Sequence, residues 1–316
     1  MGKVIGDGNF IYEHLNAWHK LPEDIRLIET PGITVDSNDK VYALTRNINH
    51  PVMVFDKAGN FLRSFGKGVF SNRTHGATAG PDNILFFADD GKHTITKWTT
   101  DGKLLMTIGT PLKPKSRFSG APFNKPTHVA VSQHTGEIFV SDGYGNARVH
   151  KYSSDGKHLL SWGEPGIDPG QFLVPHNIVI DSNERIYVAD REAHRVQVFD
   201  TDGNVIEVWN NLYMPTGMTI GPDDNIYIGE LNGLPIIQDA PGLGHRISIV
   251  DKHGHLLARF GDPYEGEESG KFIAPHGMAV DSHGDIYVGE VSFAMRGQNM
   301  YPPKELRSLS KLAKVS

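Results

Sequence analysis

Three histidines stand at matching places in a repeated sequence pattern, and their residue type points to metal chemistry. They are His75, His176 and His276. Three neutral imidazoles that converge on one point, with an open fourth position, form the ligand set of a catalytic zinc site. Imidazole also suits copper, iron and nickel, so the ligand type alone does not select the metal. These residues are therefore the first candidates for a catalytic centre, with Zn²⁺ as the expected ion.

A repeat runs along the chain and must supply the elements that position these histidines. Its first half is clear at 32–44, 177–190 and 277–290, and weaker copies cover 76–89, 128–142 and 217–230. Each copy predicts two short strands joined by a polar turn. Its second half follows the first five copies as a hairpin with a glycine-containing turn, at 50–66, 93–109, 147–163, 194–209 and 245–261.

Two strands from each half make a four-stranded blade, and a period of roughly 40 to 60 residues is typical of propeller repeats. After the sixth copy only one further strand is predicted, within 306–315, and the segment 10–18 is predicted to supply the missing one. This pairing closes the ring and removes exposed sheet edges. The sequence thus predicts an all-β, six-bladed β-propeller of NHL repeats, with residues 1–316 in a single domain and an N-terminal strand closing the last blade.

The repeat also separates scaffold from chemistry, because a scaffold residue should recur in every copy. The informative slot lies five residues before the position that ends the first strand, which holds Asp36, Asp181 and Asp281 in blades one, four and six. The odd blades hold Pro31, Thr127 and Thr216 at this slot, whereas the even blades hold His75, His176 and His276. Alternate blades of a six-bladed ring are related by threefold symmetry, so the three imidazoles are predicted to meet on the central axis.

Other histidines are predicted to be scaffold. Four of them share one repeat position just before the third strand of a blade, namely His50, His93, His194 and His245. Recurrence at that position indicates a hydrogen bond that holds a loop. His128 begins an inner strand one position after the Thr127 slot and is a weaker candidate for a contact behind the metal ligands.

The loop after the second strand of each blade is predicted to lie on the rim that faces the metal. It carries Arg46 in blade one, Tyr144 in blade three and Arg191 in blade four, and it differs elsewhere (Asp90, Leu231, Val291). Two guanidiniums beside a metal suit a substrate with a carboxylate next to a polarisable oxygen. A phenol near a divalent cation can serve as a base. The alternative is that both arginines pair with carboxylates around the rim.

Composition narrows the class of protein. The formal net charge is -6 without a run of positive charge, so nucleic acids and anionic membranes are not expected partners. No apolar stretch approaches the length of a membrane span, and the N-terminal residues lack an apolar signal core. The absence of cysteine excludes disulfides and thiolate ligands. We therefore expect a cytoplasmic protein that acts on a small molecule; the sequence does not indicate an oligomeric state.

With these residues located, the chain resembles the NHL-repeat propellers of the peptidyl-α-hydroxyglycine α-amidating lyase family, particularly their bacterial single-domain members. The resemblance covers nearly the whole chain and is tightest over 123–131, 139–157 and 170–199. Its specific motifs are VPH and APH around His176 and His276, THG around His75, and DGY at Tyr144. The NHL repeat alone is not specific.

The resemblance implies zinc bound by the three histidines and Tyr144 as general base on the substrate hydroxyl. It also implies that Arg46 and Arg191 lie in the active site. The implied reaction is lyase cleavage of an N–C bond in a carbinolamide, which releases an amide and glyoxylate.

The chain departs from the family in three respects. The family's structural calcium would use the carbonyls of Ile33 and Ala77 and a carboxylate after the third histidine, where Gly277 stands, so calcium is in doubt. Cysteines of the secreted members are absent, with Gly145 after the tyrosine, which fits an intracellular protein. No copper monooxygenase domain accompanies the propeller, so another small hydroxylated substrate stays open.

Two rival functions also stay open. A metal hydrolase on the same scaffold would use metal-bound hydroxide on an ester, a lactone or an amide. Calcium-dependent lactonases fit less well, because the axial slots hold histidine instead of acidic residues. A non-enzymatic NHL interaction module would need neither metal nor turnover, and it would be expected to expose a basic or aromatic rim.

Overall fold

The protein is built almost entirely of β-strands. The computed structural model describes residues 2–233, 237 and 240–315. Within these residues the strands form six antiparallel sheets, and one short helix, α1 (Ser292–Met295), follows a strand of the last blade. The prediction of an all-β, six-bladed β-propeller is confirmed. None of the described helices is long and apolar enough to cross a membrane.

The chain divides into two compact units, each of which holds three blades. The continuous unit is Gly66–Pro215, and the split unit combines Met1–Phe65 with Thr216–Ser316. The single domain over 1–316 stays a prediction.

Blades two, three and four form the continuous unit, and each pairs its strands in chain order. Blade two contains β7 (Thr74–Ala79), β8 (Leu85–Asp89), β9 (Thr94–Trp98) and β10 (Leu104–Ile108). Blade three contains β11 (His128–Val131), β12 (Ile138–Asp142), β13 (Arg148–Tyr152) and β14 (His158–Trp162). Blade four contains β15 (Pro175–Ile180), β16 (Ile186–Asp190), β17 (Arg195–Phe199) and β18 (Val205–Trp209).

Blades one, five and six form the split unit. Blade one contains β3 (Gly32–Val35), β4 (Val41–Leu44), β5 (Val52–Phe55) and β6 (Phe61–Phe65). Blade five contains β19 (Pro215–Ile220), β20 (Ile226–Glu230), β21 (Arg246–Val250) and β22 (Leu256–Phe260). Blade six has five strands in the order β1 (Lys3–Asp7), β2 (Phe10–Leu15), β25 (Leu309–Lys314), β24 (Ile286–Glu290) and β23 (Pro275–Val280).

Apolar side chains from neighbouring sheets pack into the cores of each unit. Between blades two and three the core contains Phe86, Val129 and Ile138, each of which is at most 2% exposed. Strands β8, β12 and β16 are buried along their whole length. This explains why the second strand of each repeat reads as a continuous apolar run instead of an alternating one.

The two ends of the chain meet in blade six, as the sequence predicts. Strand β2 pairs with β25 in the register Tyr12↔Lys314, and β25 pairs with β24 in the register Leu312↔Ile286. Strand β1, which pairs only with β2 in this sheet, was not anticipated. Its Val4 is exposed and its Ile5 is only partly buried, so the apolar pattern is too weak to distinguish the strand from a loop.

The acidic residue that follows the first strand in blades one, four and six has a structural role. In three blades its carboxylate accepts a hydrogen bond from the tyrosine six residues later, at 2.8–3.0 Å, in the pairs Asp36–Tyr42, Asp181–Tyr187 and Asp281–Tyr287. The other carboxylate oxygen accepts backbone N–H groups of the turn, for example from Asp285 at 3.0 Å. Burial and the adjacent carboxylate raise the pKa of each tyrosine, which keeps its hydroxyl protonated as a donor.

We expect the protein to lose stability in mild acid because of His14. This fully buried ring stacks on Phe272, and its Nδ1 accepts the N–H of Gly270 at 2.8 Å, which requires the neutral form. Burial, followed by the charge of Arg307, lowers the pKa of His14 from 6.5 to about 3. The unfolded chain therefore binds more protons between these values, so stability is complete above pH 6.5 and is lost as the pH falls. Between pH 7 and 5 the expected loss is about 2 kcal/mol of the free energy of unfolding.

Urea denaturation at pH 7 and pH 5 measures this loss. His14→Asn keeps an acceptor at the position of Nδ1 but cannot titrate. Its free energy of unfolding should therefore lack the fall of about 2 kcal/mol that His14 causes between pH 7 and pH 5. An equal pH dependence in wild type and variant would show that His14 does not cause it.

Candidate active site

A β-bulge marks the inner strands that carry the candidate metal ligands. In β15, Pro175 pairs with Asp190 and Asn177 pairs with Ala189, so His176 is the extra residue between them. The same shift occurs in β7 around His75 and in β23 around His276. Strand β11, which has Thr127 before it at the slot, pairs with β12 without a shift. A bulge redirects a side chain locally, so the histidines owe their orientation to it.

His75 and His176 meet inside the continuous unit. Both are buried, with relative exposures of 2% and 1%, and their ring centroids are 4.7 Å apart. A ring nitrogen of each lies within 4.8 Å of one of the other. Two nitrogen ligands of a tetrahedral zinc ion would be about 3.4 Å apart. A small adjustment would therefore let both rings bind one ion.

The hydrogen bonds of His75 suit a metal ligand. Its Nδ1 lies 2.6 Å from the carbonyl oxygen of Thr127, which can only accept, so Nδ1 carries the proton. In the neutral ring Nε2 then has a lone pair. Metal-binding histidines usually donate their second ring N–H in this way, which fixes the tautomer and the ring orientation. The donor set in the continuous unit therefore fits an imidazole-bound metal.

Tyr144 brings a phenol to both imidazoles. Its hydroxyl oxygen lies 2.9 Å from Nε2 of His75 and 3.0 Å from Nε2 of His176. One hydroxyl proton can be donated to only one of these nitrogens. A group that binds between the rings would therefore lie within reach of the phenol oxygen, which is where a base must stand to take a proton from it.

Arg191 supplies positive charge beside this phenol. Its Nη1 donates to the hydroxyl oxygen of Tyr144 at 3.3 Å, and its guanidinium lies 5.5 Å from the centre of the tyrosine ring. Its other side donates to Glu192 at 2.7 and 2.9 Å. Burial opposes the charged form, but Tyr144 and Glu192 outweigh it and raise the pKa of Arg191. The guanidinium is thus a permanent charge in a fixed position.

Arg46 lies in the split unit and is paired there with a carboxylate. Its Nη1 donates to Glu29, whose side chain is buried. Its Nε is also buried and has no hydrogen-bond partner among the described residues. Both Arg46 and Arg191 pair with a carboxylate, as the alternative reading has it. Each also has a further donor, because Nη1 of Arg191 reaches Tyr144 and Nε of Arg46 is unused.

His276 also lies in the split unit, in surroundings like those of His75. It is 5% exposed, and its Nδ1 lies 2.7 Å from the carbonyl oxygen of Pro31. Pro31 and Thr127 occupy the same slot in odd blades, so each histidine donates to the slot residue of a blade that has no histidine. Its Nε2 is therefore also left with a lone pair in the neutral ring.

Close packing explains why glycine stands at position 277, where the calcium expectation would need a carboxylate. A Cβ atom at this position would come within 3.0 Å of the backbone of Gly32 and Ile33. Real Cβ atoms rarely approach other atoms so closely, so a carboxylate side chain at position 277 would require the backbone to move. The local packing therefore does not favour a carboxylate ligand for calcium at position 277.

His128 bridges main-chain carbonyls in the continuous unit. Its Nδ1 lies 3.1 Å from the carbonyl oxygen of Ile178, and a hydrogen bond to the backbone of Ala77 engages the ring as well. Burial lowers the pKa of His128 to about 4, although these two hydrogen bonds oppose the shift.

The four recurrent histidines hold loops, as expected. Their Nδ1 atoms contact the backbone or a side chain at 2.6–3.3 Å, in the pairs His50–Ser64, His93–Lys125, His194–Met214 and His245–Ile273. In three of them the contacted group is the main chain of the connection that leads to the next blade.

Sequence reasoning missed Arg73. Its Nε and Nη2 donate to the two carboxylate oxygens of the fully buried Asp90, at 2.5 and 2.7 Å. This hydrogen bond, with the nearby Tyr144 among the smaller causes, raises the pKa of Arg73 despite its partial burial. The guanidinium of blade two thus comes from the loop before the inner strand, whereas Arg46 and Arg191 follow the second strand of their blades. The one signal for it was the carboxylate at position 90, where three other blades have an arginine or a tyrosine and two have an apolar residue.

Comparisons with known proteins agree with this fold and identify proteins of similar sequence. Residues 172–199 match the family described as NHL repeat. Human NHL repeat-containing protein 3 is 34% identical over 294 residues, which cover 87% of this chain and 80% of the human protein. Peptidyl-alpha-hydroxyglycine alpha-amidating lyase 1 of Drosophila melanogaster is 31% identical over 254 residues. That match covers 74% of this chain and 45% of the Drosophila protein.

A solved streptogramin B lyase structure has the same fold. Its TM-score is 0.62 at 16% identity, and the match covers 97% of this chain and 98% of that one. At this identity the likeness concerns the fold alone.

Proposed function

The chain belongs to the NHL repeat family, and from this premise we propose that it is a zinc-dependent lyase of the amidating-lyase type. Its substrate would be a small hydroxylated molecule of the carbinolamide class that carries a carboxylate. The enzyme would break the N–C bond at the hydroxylated carbon. Relatives with lyase names on the same scaffold support an enzyme, and the geometry around Tyr144 supports this reaction.

One observation carries the proposal: the hydroxyl of Tyr144 lies within 3.0 Å of Nε2 in both His75 and His176. A substrate hydroxyl placed between these imidazoles would have a phenol oxygen beside its proton. Arg191 adds a fixed positive charge at the same oxygen. Acid–base chemistry on a hydroxyl requires this juxtaposition of a base and the proton it removes.

We propose His276 as the third metal ligand, together with His75 and His176. It shares with His75 the slot, the bulge and the Nδ1 contact to a carbonyl oxygen. When bound, zinc would supply Lewis acidity to the substrate oxygen.

The side chains then have distinct tasks in the reaction. Tyr144 would act in its ionised form and take the proton of the substrate hydroxyl, while Arg191 holds positive charge beside the phenolate oxygen. The carbon–oxygen bond becomes a carbonyl as the electrons of the N–C bond move to nitrogen. Tyr144 would return its proton to that nitrogen, which leaves as an amide. We propose Arg46, whose Nε is unused, as the residue that would hold the carboxylate of the departing glyoxylate.

A metal hydrolase is the rival that uses the same residues, and product analysis separates the two. An N-acyl-α-hydroxyglycine is incubated with the zinc-loaded protein in H₂¹⁸O. The lyase releases primary amide and glyoxylate in equal amounts, with no ¹⁸O in the amide. Hydrolysis of the acyl bond instead gives a carboxylic acid that contains ¹⁸O, and that product would contradict the proposal. A heat-denatured sample controls for spontaneous breakdown.

A further inference from the structure

A long loop beside Tyr144 concentrates positive charge. Residues 110–126, here called the basic loop, connect β10 and β11 and contain Lys113, Lys115, Arg117 and Lys125. No Asp or Glu occurs between Asp101 and Glu137, although the chain as a whole has a net charge of -6. The sequence spaces these cations apart, so they form no uninterrupted run.

The four cations of the basic loop are exposed and unpaired. Each side chain is in the exposed class. Elsewhere, most arginines of the continuous unit are engaged with carboxylates, as in Arg73–Asp90, Arg185–Asp181, Arg191–Glu192 and Arg195–Asp190. None of the ion pairs between described residues includes Lys113, Lys115, Arg117 or Lys125. Their charge is therefore available to a ligand.

Hydrogen bonds fix the main chain of the basic loop. The N–H of Lys115 donates to Phe123 O at 2.9 Å, and the side chain of Asn124 donates to Lys115 O at 2.6 Å. The N–H of the buried Asn124 donates in turn to Asp142 at 2.9 Å. The loop thus folds back on itself and is tied to the end of β12. Its cations project from a defined frame.

The basic loop holds the turn that carries Tyr144. The N–H of Phe118 donates to Gly145 O at 2.8 Å, and the N–H of Gly120 donates to Asn146 Oδ1 at 2.9 Å. The N–H of Tyr144 lies 3.4 Å from Lys125 O. A substrate that reaches Tyr144 therefore has the basic loop beside it.

An aromatic and a cationic side chain of this loop contact each other. Phe118 is 47% exposed, and the guanidinium of Arg117 lies 4.9 Å from the centre of its ring. The pair offers an apolar face and a positive charge to the same ligand.

We propose that the basic loop is a subsite for a second anionic group of the substrate, carried by its acyl part and separate from the carboxylate at the reacting carbon. The assignment of this subsite to a substrate rests on the proposed function, because it takes Tyr144 as the place of reaction. The ligand group is a carboxylate or a phosphate. An acidic acyl group is favoured over a nucleic acid because the cations occupy one loop of an otherwise acidic protein, and not a basic face.

Calorimetric binding of unreactive ligands tests this subsite. The probes are N-acetylated peptides that end in Phe-Gly and are preceded by Glu-Glu, Gln-Gln, Lys-Lys or a pair of phosphoserines. They lack the α-hydroxyl and are not turned over. At low salt the Glu-Glu peptide should bind the zinc-loaded protein about tenfold more tightly than the Gln-Gln peptide, and 0.5 M NaCl should remove most of the difference. The phosphoserine arm shows whether phosphate is preferred to carboxylate.

A pair of matched variants locates the preference. Lys113→Glu/Lys115→Glu/Arg117→Glu should abolish or invert it. Lys67→Glu/Lys103→Glu/Lys157→Glu makes the same change of net charge at exposed positions of the same unit and should leave the preference within about twofold of wild type. Equal binding of the Glu-Glu and Gln-Gln peptides by wild type, equal loss in both variants, or tighter binding of a short single-stranded DNA would overturn the subsite.

The outcomes of this experiment and of the lyase assay are independent. Turnover without any preference for acidic peptides would reject the subsite and leave the lyase standing. A preference for acidic peptides, lost only in the loop variant, would keep the binding site even if no lyase turnover is found.

Discussion

Tyr144→Phe should lower kcat by about two to four orders of magnitude, while bound metal and fold are unchanged. Phenylalanine keeps the ring that packs between the imidazoles and under Arg191, and it removes only the hydroxyl oxygen. The loss therefore measures the proton transfer assigned to this oxygen. Steady-state release of glyoxylate from an N-acyl-α-hydroxyglycine gives kcat, and elemental analysis gives the metal content.

A second tyrosine variant controls for the loss of a phenol. Tyr264 is 60% exposed in the split unit and has no role in the proposed reaction, so Tyr264→Phe should retain kcat within about twofold. If Tyr144→Phe also retained kcat within a few-fold, another group would have to act as the base. A comparable fall with loss of metal would instead indicate a structural role.

His176→Ala should remove the bound metal and lower turnover by more than about a hundredfold. Even residues that only orient metal ligands cost 10- to 100-fold in affinity or activity when replaced, and a ligand should cost more. Zinc per protein chain is measured after dialysis, and glyoxylate release is followed with saturating zinc. The fold should survive, because the bulge that holds position 176 depends on main-chain pairing.

His194→Ala is the matched control for this variant. His194 lies in the same unit and bonds the main chain of Met214 through Nδ1, as the recurrent scaffold histidines do. Its replacement should leave zinc content and turnover near wild type, at some cost in stability. Equal zinc loss in both variants would argue against a specific role for His176.

The repeat made the blades predictable, because the physics of each strand is local. The hairpin predicted at 194–209 is found as β17 and β18, and its Asp-Gly turn lies between them. The alternation of histidine with other residues at one slot also identified His75 and His176, which the structure brings together. A pattern that repeats along a chain is readable because each copy meets the same environment.

Contacts between distant residues were not readable in this way. Glu29 lies 17 positions before its partner Arg46, outside any repeated segment. Arg73 reaches Asp90 from a different loop from the one that carries the other rim residues. The bulge at His176 is invisible in an alignment of repeats, because it changes the pairing of a strand and leaves its sequence pattern intact. Such features depend on packing that no single segment encodes.

Zinc stoichiometry in wild type and in His276→Ala tests the central claim most directly, namely that three alternate blades share one ion. After dialysis against zinc-free buffer, elemental analysis should find about one equivalent per wild-type chain. His276→Ala should lose this metal as fully as His176→Ala does, although the two residues lie in different units. No bound metal in wild type, or a full equivalent retained in His276→Ala, would contradict the account.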